Sequence, residues 1–191
     1  IALDPNNADS YAWQASAMNF AGRPEEAIKM VKQAMRRNPR HPSFDLFTLG
    51  FAYYSTGQYA EAVATLQELL SRSPNHPGSH FNLTLNYVSQ WTSQQNPDAQ
   101  TLEQALAAGQ RAIAISDSSP LSHWGLGLVH LLQKHYEPAI TEMERAIALD
   151  PNHAWGYAVL AETLSRVGRS EEAVAMAERA LHRKGLVADA H

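Results

Sequence analysis

The chain has no cysteine in its 191 residues, which excludes disulfides and thiolate metal sites but leaves the redox compartment open. It has no run approaching ~20 consecutive apolar residues, so no helical membrane span is expected. Nothing at the N-terminus reads as a signal peptide, and the cytoplasm is only a default for a chain whose localisation is otherwise open. Its charges are close to balanced. Fifteen basic against nineteen acidic residues, for a net charge of −4, leave no polycationic footprint for nucleic acid. It also lacks a glycine-rich phosphate loop, an HExxH pair and a nucleophile-elbow motif. What is present is a hydrophobic fraction of 45%, ample for burial, distributed in a way that repeats.

Gly22, Gly57 and Gly168 are each followed five residues later by an alanine: Ala27, Ala62 and Ala173. Pro5, Pro39, Pro74 and Pro151 fall into the same register on a period of about 34 or 35 residues, one longer unit in the middle apart. A period of that length implies stacked helical hairpins, and stacked hairpins bind more often than they catalyse. Five units are read, at 8–41, 43–76, 77–119, 120–153 and 154–187, with residue 42 as a one-residue linker. Ile1-Ala2-Leu3-Asp4-Pro5 repeats Ile147-Ala148-Leu149-Asp150-Pro151, which closes a unit. Residues 1–7 are therefore expected to be the tail of a preceding repeat, and the chain a piece of a longer protein.

Each unit carries a first helix with a Leu-small pair and a second helix with alanines at intervals of three and four. The second unit has Leu46, Leu49-Gly50 and Tyr53, then Gly57, Ala62, Leu66, Leu69 and Pro74. Small residues let helix axes approach while bulky ones fill the gaps, and the prolines stop each second helix. Acidic residues are expected in the first turns of the second helices, at Glu25, Glu26, Glu61, Glu103, Glu137, Glu171 and Glu172. There they oppose the helix dipole rather than form catalytic pairs.

These residues at these offsets resemble the tetratricopeptide repeat (TPR), and the resemblance covers nearly the whole chain. It implies an all-α, right-handed superhelical solenoid of about five helix-turn-helix units. The third unit departs from the pattern: the stretch 90–100, from Gln90-Trp91 to Ala99 and beyond, is about nine residues longer than the family turn. An insertion loop is expected there, with Trp91 as a candidate contact.

The resemblance also implies that the first helices line a concave groove through positions two, five, nine and twelve of each unit. Carried onto this chain, the second unit supplies Phe44, Phe47, Phe51 and Tyr54, and the third Phe81, Leu85 and Val88. The fourth supplies Leu121, Trp124, Leu128 and Leu131, and the fifth Trp155, Ala158, Glu162 and Ser165. The first unit is more polar, with Asp9, Ala12, Ser16 and Asn19. None of these is basic, which argues against the family members that clamp a terminal carboxylate. The positions that form an asparagine ladder in the sugar-transferase superhelices are here Trp13, Thr48, Asn82, Gly125 and Val159, with one asparagine among them.

The expected function is therefore a protein-interaction scaffold. It would hold an apolar helix or extended peptide against Phe44, Phe47, Phe51, Tyr54, Phe81, Leu85, Trp124, Leu128, Leu131 and Trp155. The competing reading is that some of these side chains simply pack between neighbouring helices. A second functional reading comes from Asn38-Pro39-Arg40-His41-Pro42 and the following Phe47-Thr48-Leu49-Gly50-Phe51-Ala52-Tyr53-Tyr54. This run resembles TPR regions that follow bacterial class III nucleotide cyclase domains, and similar arrays accompany some winged-helix regulators. It would make the array a regulatory or self-association segment of a larger signalling protein, so a homo-oligomer stays open. His76 and His80 lie four residues apart, and His123 and His130 seven apart. His76 precedes its helix and no acidic ligand stands beside the pair, so neither a metal nor a cofactor is expected, nor is catalysis.

Overall fold

The computed structural model describes residues 7–76, 78–94 and 98–188, and every regular element among them is an α-helix. The expected tail at 1–6 and the centre of the expected insertion, 95–97, lie outside the described residues, as does Pro77. The chain divides into two compact units, residues 1–95 and 96–191.

The first unit holds α1 (Ala8–Phe20), α2 (Pro24–Arg37), α3 (Ser43–Ser55), α4 (Tyr59–Arg72) and α5 (Ser79–Ser93). Sequential helices pack as antiparallel neighbours, α1 also touches α3, and α3 touches α5. Ala15, Ala27, Val31, Leu49, Ala52, Tyr53 and Ala62 form one core cluster. The alanines let the backbones approach, and Val31, Leu66 and Leu69 are fully buried between them.

The second unit holds α6 (Ala99–Ile115), α7 (Pro120–Leu132), α8 (Tyr136–Leu149), α9 (Ala154–Arg166) and α10 (Ser170–Ala188). Its core gathers Ile140, Met143, Leu160, Leu164 and Ala173. Here Gly127 brings α7 and α8 together. A Cβ at that position would lie 2.5 Å from Met143 Cε and 3.3 Å from the Ala139 carbonyl oxygen.

The hairpin turns share one hydrogen-bond pattern. In the turns at Gly22, Gly57 and Gly168 the glycine has positive φ, and the following N–H donates to a carbonyl five residues back: Arg23 to Met18, Gln58 to Tyr53, Arg169 to Leu164. This is the Schellman closure, which needs a left-handed residue at the first position past the helix. The turn between α7 and α8 makes the same bond from His135 to the His130 carbonyl, but there Lys134 adopts φ 62°. The fourth hairpin thus keeps the geometry without the glycine. Acidic first-turn residues are present in α2, α4, α8 and α10, and Glu26 and Glu172 each form a two-pronged pair with the arginine three residues earlier.

Two expectations are corrected. The loop foreseen over 90–100 is helical at both ends: α5 runs to Ser93 and α6 starts at Ala99, so Trp91 lies half-buried on α5 and not in a loop. No glycine or proline interrupts residues 79–96, so nothing ends α5 where Gly22 and Gly57 end their hairpins' first helices. Glu103 is beyond the first turn of α6, because that helix begins four residues before it, capped by the Asp98 side chain accepting from the Gln100 N–H. α10, in the expected fifth unit, runs on to Ala188.

Candidate functional site

In the first unit the aromatic residues of α3 do not stand alone. Phe44 and Phe51 are seven residues apart, two turns on one face, and each meets a ring from α1. Trp13 lies against Phe44 with ring centroids 4.7 Å apart, and Phe20 lies 6.4 Å from Phe51. Trp13 is 67% exposed and Phe20 85%, whereas Phe44 and Phe51 are half-buried. The result is a two-rung aromatic face with its outer rings in solvent. Phe47, between the rungs in sequence, pairs instead with the His76 ring at 5.3 Å, and Tyr54 lies 6.0 Å from Tyr59. Phe81 and Leu85 are half-buried on α5, the next first-position helix, and Val88 is buried there.

Of the more polar positions expected on α1, Asp9 is exposed and Ser16 half-buried, while the other two turn inward. Ala12 is buried and Asn19 donates from its amide to the Thr48 carbonyl at 3.0 Å, tying α1 to α3. The α1 side chains that reach solvent beside α3 are Trp13 and Phe20, one residue further along than Ala12 and Asn19. The signal was in the sequence: Trp13 and Phe20 share the seven-residue spacing of Phe44 and Phe51. Asn82 is likewise committed, donating to the Gly78 carbonyl at 3.0 Å.

In the second unit one corresponding residue, Leu131, is more enclosed than its counterpart Tyr54. Trp124 is half-buried and meets the His153 ring edge-on at 5.7 Å, and both Trp124 and Leu128 pack on the α7–α10 core. Leu131, expected in the groove, is only 6% exposed and belongs to the helix wall. It sits in the last turn of α7, where the chain reverses, and its side chain is shorter than that of Tyr54 at the matching place. Trp155 is 62% exposed on α9 and Leu121 44% exposed at the start of α7. Trp155 and Leu121 are therefore the second unit's large exposed apolar residues among those foreseen.

The histidines serve these contacts. His41, His76 and His153 all follow a proline by two residues at unit boundaries, and His76 and His153 each meet the aromatic ring at position five of the unit they close. His41 has Ala12 at that position and instead stands near the buried Asp45. Burial pushes the Asp45 carboxyl above the ordinary carboxylate range, with His41 opposing and Asp9 adding to the shift. Burial pushes the His153 imidazole below its ordinary value, partly opposed by Asp150. His130 is lowered in the same way, with Glu142 opposing. His123 bridges two elements: Nε2 donates to the Asp117 carbonyl at 2.9 Å, and Nδ1 lies 2.6 Å from Glu142 Oε2.

The four-apart pair His76 and His80 is divided between other partners. His76 Nδ1 lies 2.7 Å from Ser79 Oγ, and His80 Nε2 donates to the Pro74 carbonyl. Among the described residues no three His, Asp or Glu side chains converge as metal ligands. The arrangement can bind apolar groups and offers paired aromatic rings to do so.

Three family models described as tetratricopeptide repeat match residues 20–80, 120–153 and 142–175, together more than half the chain. The chain is a tetratricopeptide-repeat protein. Solved structures agree on the fold. A thermophilic TPR protein from Thermus thermophilus is similar at 24% identity and a TM-score of 0.80, over 92% of this chain and 91% of that one. MamA from Desulfovibrio magneticus RS-1, residues 41 to the end, is similar at 20% identity and a TM-score of 0.73, over 93% and 95%. No curated protein sequence matches the chain. This TPR protein is thus an all-α solenoid of TPR units, a fold that serves as a protein–protein interaction scaffold. No helix among its described residues is long and apolar enough to cross a membrane.

Proposed function

We propose that this TPR protein recognises an apolar segment of a protein partner through the aromatic faces of its first-position helices. The observation that carries this reading is the exposure of Trp13 and Phe20, whose rings already lie tilted against Phe44 and Phe51. Large exposed aromatics in a continuous patch are uncommon on soluble surfaces unless used, and rigid aromatic pairs make good anchors because little side-chain entropy remains to be lost. Trp155 and Leu121 offer a smaller face of the same kind in the second unit. Phe47 and Trp124 support these faces through their histidine partners, which fix the ring orientation.

The test is a selection from a random peptide-display library on the intact chain, with the folded Trp13→Ala/Phe20→Ala variant as counter-selection. Peptides enriched on the wild type should carry aromatic or aliphatic anchors and lose affinity for the variant, each hot-spot ring contributing about 1–3 kcal/mol. Enrichment of peptides without apolar anchors, or equal binding to both proteins, contradicts the reading.

A further inference from the structure

The two units differ in charge. Residues 1–95 carry seven acidic and seven basic side chains, and residues 96–191 twelve acidic and eight basic. Within the neutral first unit the cations are concentrated. Between Glu26 and Asp45 lie Lys29, Lys32, Arg36, Arg37 and Arg40 with no acidic residue among them. Lys29, Lys32 and Arg36 are spaced three and four apart, on one face of α2, and all three are exposed. They line a shallow groove with Ile28, Gln33 and Arg37. Among the described residues, no salt bridge takes Lys29, Lys32 or Arg36; Lys32 instead stands over the Tyr53 ring at 5.4 Å and Arg37 over the Tyr11 ring at 4.4 Å.

The second unit carries a face of opposite sign with the same spacing. On α8, Glu137, Thr141 and Glu144 are exposed along one side. Glu137 and Glu144 are seven residues apart, as Lys29 and Arg36 are, and seven helical residues rise about 10.5 Å. Neither carboxylate is taken up in a salt bridge among the described residues. Arg169 stands close enough to feel both, but it spends its guanidinium on Glu172. Two helices laid side by side would therefore set Lys29 and Arg36 against two carboxylates at matching intervals, with Thr141 facing Lys32.

We propose that the basic α2 face of one copy docks on the acidic α8 face of a second copy, giving head-to-tail self-association. The contact joins two different surfaces, so it is heterologous and leaves a pair of chains with one open face of each kind, an α8 face on one copy and an α2 face on the other. Exposed ion pairs are individually weak and are screened by salt, so the assembly is concentration-dependent and salt-sensitive. It uses a different surface from the aromatic faces and stands or falls independently of them.

Sedimentation velocity of the intact chain tests it. Self-association is expected at low ionic strength and should vanish near about 1 M salt, where the screening length falls to about 3 Å. Lys29→Glu/Arg36→Glu and Glu137→Lys/Glu144→Lys should each sediment as monomers while keeping wild-type helicity. Their equimolar mixture should recover a complex, because the reversed faces complement each other. A loss of about tenfold or more in self-affinity is expected for each double reversal. A wild-type chain that stays monomeric at low salt overturns the proposal. So does association that survives both reversals, or folded reversed variants that fail to restore each other. The Trp13→Ala/Phe20→Ala variant should associate as the wild type does; if it alone is monomeric, the contact runs through the aromatic face and the proposal is wrong.

Discussion

The two units use matching positions of one repeat differently. In the first, Phe44 and Phe51 prop up Trp13 and Phe20, and the aromatic surface ends in solvent. In the second, Trp124 and Leu128 pack inward on Ile140, Met143 and Leu160, Leu131 is buried, and Trp155 and Leu121 keep substantial exposure. A repeat position therefore does not by itself decide between wall and groove; the size of its neighbours does. Where the facing helix supplies Trp13, α3's aromatics become part of an open face. Glycine does not make the difference, since Gly50 admits Leu66 of α4 close to α3 as Gly127 admits Met143 of α8 close to α7.

The sharpest way to break this comparison is to truncate one residue of each kind. Leu131→Ala should lower unfolding free energy by about 2–5 kcal/mol, as a buried leucine does, whereas Trp155→Ala should change it by less than about 0.5 kcal/mol. Denaturant titration of the two variants decides it. Equal effects would erase the distinction between the buried wall and the exposed surface.

A second contrast lies within the first unit. Phe44→Ala should cost both stability and affinity for a selected apolar peptide. Trp13→Ala should cost affinity, about 1–3 kcal/mol, and lower stability by no more than the roughly 0.5–1.5 kcal/mol of its ring pair with Phe44. Fluorescence anisotropy beside thermal melts separates the two quantities.

The turns offer a smaller and opposite effect. Lys134→Gly should raise stability by up to about 1 kcal/mol, because a side chain in the left-handed region is strained and glycine is not. Gly57→Ala should lower it for the same reason, both read from denaturant midpoints.

The smallest difference is in pH response. His153 and His130 have lowered values, so their contribution is fully present above the unfolded histidine value of about 6.5 and is lost as pH falls through the folded values. Asp45 is raised, so its contribution is present below the unfolded carboxylate value and is lost as pH rises through the folded one. Acidification from neutral pH should therefore weaken the protein less once His153→Phe removes one of the protonation sites. Asp45→Asn removes a contribution that grows on acidification, so this variant should lose more stability than the wild type as pH falls below neutral. Denaturant midpoints across a pH series check both.

The repeat was legible because glycine, alanine and proline mark places where geometry admits few alternatives: a left-handed cap, a close helix approach, a helix stop. The fourth hairpin shows the limit of that code, since Lys134 adopts the left-handed turn that glycine marks elsewhere. The stretch 90–100 was misread because extra length suggests a loop, while the absence of any breaker from 79 to 96 lets a helix continue. Leu131 was placed in the groove by its position in the unit, but burial there depends on the chain reversal that follows it. Trp13 and Phe20 were missed because the family template points to their neighbours; only their seven-residue match to Phe44 and Phe51 points to them. The histidine-aromatic pairs required tertiary contact to be seen, although the shared place of His41, His76 and His153 two residues after a proline was in view.

The central claim is that recognition buries apolar surface on the first unit's aromatic face. Calorimetric titration of a selected peptide at several temperatures tests it most directly, because burial of apolar surface gives a negative heat-capacity change of binding. The account predicts a clearly negative value for the wild type that shrinks towards zero, together with the affinity, in Trp13→Ala/Phe20→Ala. A value near zero for the wild type, or one that the double substitution leaves unchanged, would contradict it.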